Sequence, residues 1–175
     1  ELGSRTVGIV GVGAIGRRTA ALCHAFGAQI LGYKRHVRGD EPDYIRFVSL
    51  DELLAQSDIV SLHCPLNDES RGLMGRENLS RMKKGALLIN TARGPVVDAQ
   101  ALADALESGA LGGAGIDVFE TEPPLDPAHP LLRAPNTIVT PHVAFASAES
   151  MEARCKIVFD NIHKWMEGDQ ANVIL

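Results

Sequence analysis

The chain has 175 residues, 45% of them hydrophobic and 22% charged, with a formal net charge of -5 at pH 7. That length fits one domain of common size with a full core, the acidic balance argues against a nucleic-acid surface, and no apolar run is long enough to span a membrane. Glu1 to Arg5 lacks the basic flank and apolar stretch of a signal peptide, and three scattered cysteines (Cys23, Cys64, Cys155) with no C-x-x-C pair fit reduced thiols in the cytoplasm.

In chain order, strand signals alternate with helix signals. Thr6–Val10 is an apolar run, followed by glycines and then by a helical pattern over Arg17–Phe26. Gln29–Tyr33 reads as a second strand. Ser49-Leu50-Asp51-Glu52 reads as a capping box that opens a short helix. Strand-like runs recur at Asp58–His63, Ala86–Asn90, Ala114–Val118 and Thr137–Thr140. Between them Asp98 can cap a helix over Ala99–Ser108, with Gly109 as its stop. The Pro-rich stretch 122–135 reads as a long loop. Ser147 can cap a final helix reaching Glu167, where Met151, Arg154, Val158, Ile162, Trp165 and Met166 fall near one face and Gly168 ends it. Several strands are continuously apolar, as strands covered on both faces must be. Six such strands with intervening helices predict an α/β fold: a doubly wound parallel sheet in a three-layer α/β/α arrangement, the Rossmann fold.

The glycines carry the first chemical signal. Gly11-Val12-Gly13-Ala14-Ile15-Gly16 matches G-x-G-x-x-G between a strand and a helix. In that context the first glycine permits a tight turn. The second lets backbone approach a pyrophosphate, and the third lets the helix pack closely on the strand. The helix N-terminus then offers N–H groups and partial positive charge to phosphates. A dinucleotide fold that takes NAD carries an acid about 20 residues further on, at the end of the second strand. Here that strand ends Tyr33-Lys34-Arg35-His36. Two cations stand where a carboxylate would repel a 2′-phosphate, so the sequence favours NADP(H) over NAD(H).

Three further segments complete a pattern: Asn90-Thr91-Ala92-Arg93-Gly94, then Asp117-Val118-Phe119-Glu120-Thr121-Glu122-Pro123, then Thr140-Pro141-His142. In this order and spacing, with His63-Cys64-Pro65-Leu66, the chain resembles the D-2-hydroxyacid dehydrogenases over essentially its whole length. The resemblance implies that Arg93 binds the substrate carboxylate and polarises its carbonyl. It implies that His142 is the general acid/base, tuned by Glu122, and that Asp117 contacts the nicotinamide carboxamide. His63, Cys64, Pro65, Thr91 and Ala92 would line the cofactor cleft. The residue types suit the chemistry. An arginine fork matches a carboxylate, and a histidine titrates near neutrality. A neighbouring carboxylate favours the imidazolium. The remaining histidines show no metal-ligand spacing.

After His142 the chain reads Val143-Ala144-Phe145-Ala146-Ser147, closer to the glycerate and hydroxypyruvate/glyoxylate-reducing members. The carboxylate at Glu122 disfavours formate oxidation, whose branch of the family carries glutamine there. The resemblance also implies that residues 1–175 are the cofactor domain with its C-terminal helix, and that the family's substrate-binding domain is absent from them. It suggests a homodimer acting on a small 2-oxo or 2-hydroxy acid. Phosphoglycerate-type activity, a non-enzymatic dinucleotide sensor of the corepressor type, and a catalytically silent dimer-forming fragment remain as alternatives.

Overall fold

A computed structural model describes every residue except 37, 38, 40, 122, 123, 174 and 175. It divides into two compact units, Glu1–Pro141 and His142–Leu175.

The first unit is built on a seven-stranded sheet in which every neighbouring pair is parallel. The strands are β1 (Thr6–Val10), β2 (Gln29–Tyr33), β3 (Ile45–Phe47), β4 (Ile59–Leu62), β5 (Leu87–Asn90), β6 (Gly113–Ile116) and β7 (Thr137–Val139). Their spatial order is β3-β2-β1-β4-β5-β6-β7. The order reverses between β1 and β4. A doubly wound sheet binds its ligand outside the carboxyl ends of the strands at such a switch point.

In β1 and β2 apolar side chains alternate between the two faces of the sheet. Val7, Ile9 and Ile30 join one buried cluster, and Val10, Leu31, Val60 and Leu62 join another. The helices of this unit are α1 (Ala14–Ala25), α2 (Leu50–Gln56), α3 (Arg76–Ser80) and α4 (Ala99–Glu107). Ser49 accepts from the Glu52 N–H at 3.2 Å, which forms half of the expected capping box. The Glu52 carboxylate turns instead to Arg46, at 2.8 Å, and Gln56, at 3.1 Å. Asp98 caps α4 through the Ala101 N–H at 2.9 Å, and Gly109, at φ 70°, follows its end.

β3 and α3 carry too little pattern to be read from sequence, being three and five residues long. The long loop also holds a 3₁₀ turn at Pro130–Leu132, where the His129 ring accepts from the Leu131 N–H.

The second unit carries α5 (Ala148–Met166). Ser147 and Ser150 cap its start reciprocally, at 3.0 and 3.1 Å. Its end is a Schellman motif. Gly168 has φ 83°, and the Asp169 and Gly168 N–H groups reach back to the carbonyls of Lys164 and Trp165. None of its residues is buried, so its apolar periodicity marks a helix but not a core.

Candidate functional site

The turn after β1 has the geometry its glycines call for. Gly11 sits at φ 94°, and a β-carbon there would stand 2.5 Å from the Cys64 nitrogen. Its N–H donates to the Tyr33 carbonyl at 2.8 Å, tying the turn to the end of β2. A β-carbon at Gly16 would meet the Gly11 carbonyl oxygen at 2.2 Å, so α1 packs on the turn only because that residue is glycine. A β-carbon on Gly13 would meet nothing within 4 Å, which leaves open space for a ligand against backbone. No side chain caps α1, and its first turn carries no acid. The donors of that turn are thus available to a phosphate.

A cleft of about 720 Å³ opens at this point. Gly11, Gly13 and Ala14 form its floor, Tyr33, Lys34, Arg35 and His36 one wall, and His63, Cys64 and Pro65 the other. Ile15, Gly16, Thr91, Ala92 and Asp117 were expected at the cofactor and are not among its lining residues. Ile15 is 72% exposed on α1, and Gly16 acts through packing.

Burial holds the His63 imidazole below its ordinary range and pushes the Cys64 thiol up, so both are neutral near pH 7. His63 Nε2 lies 2.9 Å from Ser61 Oγ.

Carboxylates that the sequence did not single out face the two cations. Lys34 pairs with Glu41, and Arg35 pairs with Glu69 on the opposite wall. A tight turn positions Glu69: the Asn67 side chain accepts from the N–H groups of Glu69 and Ser70, and Ser70 Oγ donates to the Pro65 carbonyl at 2.6 Å. Neither pairing leaves a signal in the sequence, because each partner arrives through the fold.

Arg93 follows β5. The buried Asn90 holds its turn from both sides, accepting from the Ala92 N–H and donating to the Arg93 carbonyl, each at 3.0 Å. An Asn that bonds its own downstream backbone is the signal that could have marked this role. Gly94 lies against the backbone of Phe119, and Ala92 is buried beneath the turn. Arg93 itself is exposed, as is Thr91, and its guanidinium donates to the Ala92 carbonyl at 2.6 Å. Asp117 is buried, and its carboxylate accepts from the Thr140 hydroxyl, which links the ends of β6 and β7.

His142 opens the second unit at φ 56°, a left-handed conformation uncommon for a residue with a side chain. Such strain concentrates where a side chain must be aimed. The His142 and Phe145 rings meet edge to face, their centres 5.8 Å apart and their planes at 89°, and the Arg154 guanidinium lies 4.7 Å from the centre of the Phe145 ring. Glu122, the expected partner of His142, lies outside the described residues.

A parallel sheet with a glycine-rich switch-point turn defines a nucleotide-binding domain of the Rossmann class. The model of the D-isomer specific 2-hydroxyacid dehydrogenase NAD binding domain matches residues 1–144, and the chain belongs to that family. It is 41% identical over 175 residues to a hydroxypyruvate reductase of Blautia hydrogenotrophica, covering 99% of this chain and 54% of the relative. It is 44% identical over 172 residues to a glyoxylate reductase of Thermofilum pendens, covering 97% and 50%. A D-lactate dehydrogenase from Lactobacillus jensenii, solved with NAD+, superimposes with a TM-score of 0.91 at 32% identity, over all of this chain and 56% of that one. The chain therefore spans about half the length of the relatives it matches.

Proposed function

We propose that this chain is the cofactor half of an NAD(P)-dependent D-2-hydroxyacid dehydrogenase that reduces glyoxylate or hydroxypyruvate. The carrying observation is Arg93, exposed on the Asn90-clamped turn after β5. The names of the relatives support the choice of substrate.

The Gly11–Gly16 turn and the open space at Gly13 suit a dinucleotide pyrophosphate. When bound, the nicotinamide supplies the hydride. Arg93 would hold the 2-oxo acid by its carboxylate, the planar fork fixing the orientation of the carbonyl. His142 would give the proton to the new alkoxide and take it back in the reverse direction. Glu122 would favour its imidazolium, and Asp117 would meet the carboxamide.

For the cofactor, Lys34 and Arg35 on the wall after β2 support a preference for NADPH. The same reading places the enzyme in the cytoplasm as a homodimer joined through its cofactor domains.

Two measurements test the proposal. Turnover of glyoxylate and hydroxypyruvate with NADPH and NADH distinguishes an enzyme from a dinucleotide sensor. Fluorescence titration with both dinucleotides at fixed salt reads the preference. Replacing Lys34 by Asp together with Arg35 by Ala should reverse the order, since charge-assisted bonds contribute about 1.5–3 kcal/mol each. Equal affinities in the unmodified chain would end the NADPH reading.

A further inference from the structure

The wall of the cleft after β2 presents cations, but they do not face the cleft uncompensated. Glu41, whose side chain is only 5% exposed, pairs with Lys34 and stands 3.7 Å from Arg17. It also accepts from the Gly39 N–H at 2.8 Å. Lys34 and Arg17 both line the cleft, whereas Glu41 sits behind them and does not. Lys34 is confined on its other side by the Phe47 ring, whose centre lies 5.5 Å from its ammonium. The Arg35–Glu69 pair differs in kind. Both its side chains are more than half exposed, at 56% and 69%. An exposed pair exchanges readily for a stronger anion. A buried pair does not, because separating it strands a charge.

We propose that Glu41 is a specificity-determining residue for the cofactor: a buried carboxylate that neutralises Lys34 and Arg17 and so limits how strongly this cleft favours a 2′-phosphorylated dinucleotide. Phosphate recognition falls to Arg35, which Glu69 releases easily. Lys34 keeps its charge toward the cleft, and Glu41 offsets part of it. Glu41 shifts the balance between NADPH and NADH from outside the lining of the cleft. This inference rests on the reading that a dinucleotide binds in this cleft, and not on which dinucleotide binds more tightly.

The experiment is a charge cycle on the 175-residue chain, reading the ratio of NADPH to NADH affinity by fluorescence titration at constant ionic strength. Glu41→Gln keeps the acceptor for the Gly39 N–H and removes the charge. Its ratio should rise about tenfold, with NADH affinity within about twofold of the unmodified chain. Lys34→Gln removes one of the cations that offset Glu41, and its ratio should fall about tenfold. The double variant should return close to the starting ratio. Unchanged ratios in both single variants overturn the proposal, as does a fall in Glu41→Gln. Should Glu41→Gln fail to fold by its thermal transition, Lys34→Gln alone decides, since an unmoved ratio there means Glu41 exerts no field at the 2′ position. Two outcomes separate this inference from the functional reading. A cleft preferring NADH, with ratios that still move as described, sinks the NADPH preference and keeps the role of Glu41. Failure of the unmodified chain to bind either dinucleotide overturns both.

Discussion

Gly94 and Phe119 are packed backbone to backbone: a β-carbon on Gly94 would stand 1.9 Å from the Phe119 carbonyl carbon and 2.1 Å from its oxygen. The turn that presents Arg93 is thereby fastened to the segment that follows β6. The glycine beside Arg93 is what admits the neighbouring chain at this point.

Gly94→Ala should therefore destabilise the protein by about 1–3 kcal/mol, toward the upper end because the opposing atoms are backbone and cannot rotate away. Gly13→Ala makes the contrasting case. Its φ of -88° suits alanine, and the added β-carbon would meet nothing within 4 Å. It should cost less than about 1 kcal/mol of stability, as a change of capping residue does, while weakening dinucleotide binding. Urea unfolding and cofactor titration on both variants check the pair. Equal stability losses would mean that the contacts at Gly94 are relieved by movement of the loop.

His63 makes stability depend on pH. Burial lowers its pKa in the folded state, while the unfolded chain takes the proton near the ordinary value of 6.5. Its neutral form is thus fully compatible with folding above about pH 6.5. As pH falls below that value the unfolded state binds the proton first and stability declines, levelling off below the folded pKa. His63→Gln keeps a polar group beside Ser61 and removes this titration. Urea midpoints at about pH 7.5 and about pH 5 should drop less in the variant than in the unmodified chain. Parallel losses in both proteins would show that other groups carry the acid sensitivity.

The sheet was legible where burial on both faces leaves a continuous apolar run. Thr6–Val10 and Gln29–Tyr33 read to the residue, because glycine or charge bounds each. β3 was not, since Ile45-Arg46-Phe47 is too short to show a period. Local chemistry likewise announced the phosphate turn, where a requirement for glycine at Gly11 and Gly16 leaves its mark in the sequence. The counter-ions Glu41 and Glu69 left none. Their meaning depends on Lys34 and Arg35, which are seven and thirty-four residues away. Arg93 was visible as a motif, but its support by Asn90 emerged only from the hydrogen bonds.

Arg93→Lys tests the carboxylate clamp in the enzyme that turns over 2-oxo acids. Lysine keeps the charge and loses the planar fork. Misplacing a substrate by about 1 Å costs about 10²-fold in rate, so kcat/KM should fall at least that far. Arg93 does not line the dinucleotide cleft, so cofactor affinity should hold. A near-normal rate with lysine would remove Arg93 from the role.

The proposed acid/base role of His142 demands a variant matched to its backbone. At φ 56° alanine would be strained, whereas asparagine tolerates the left-handed region, so His142→Asn removes the imidazole and keeps the turn. It should slow the chemical step by about 10²–10⁴-fold, the usual contribution of a positioned proton donor. Glu122→Gln should have another signature. It keeps an acceptor but removes the charge that would favour the imidazolium under the proposed pairing. Reduction needs protonated His142, and the high-pH limb of its kcat/KM profile should move to lower pH. Oxidation needs the neutral ring, and its low-pH limb should move to lower pH as well. Nonspecific damage lowers rates without moving both limbs together. Profiles in both directions, for the unmodified enzyme and Glu122→Gln, decide the matter: limbs that stay in place in both would dissolve the pairing of Glu122 with His142.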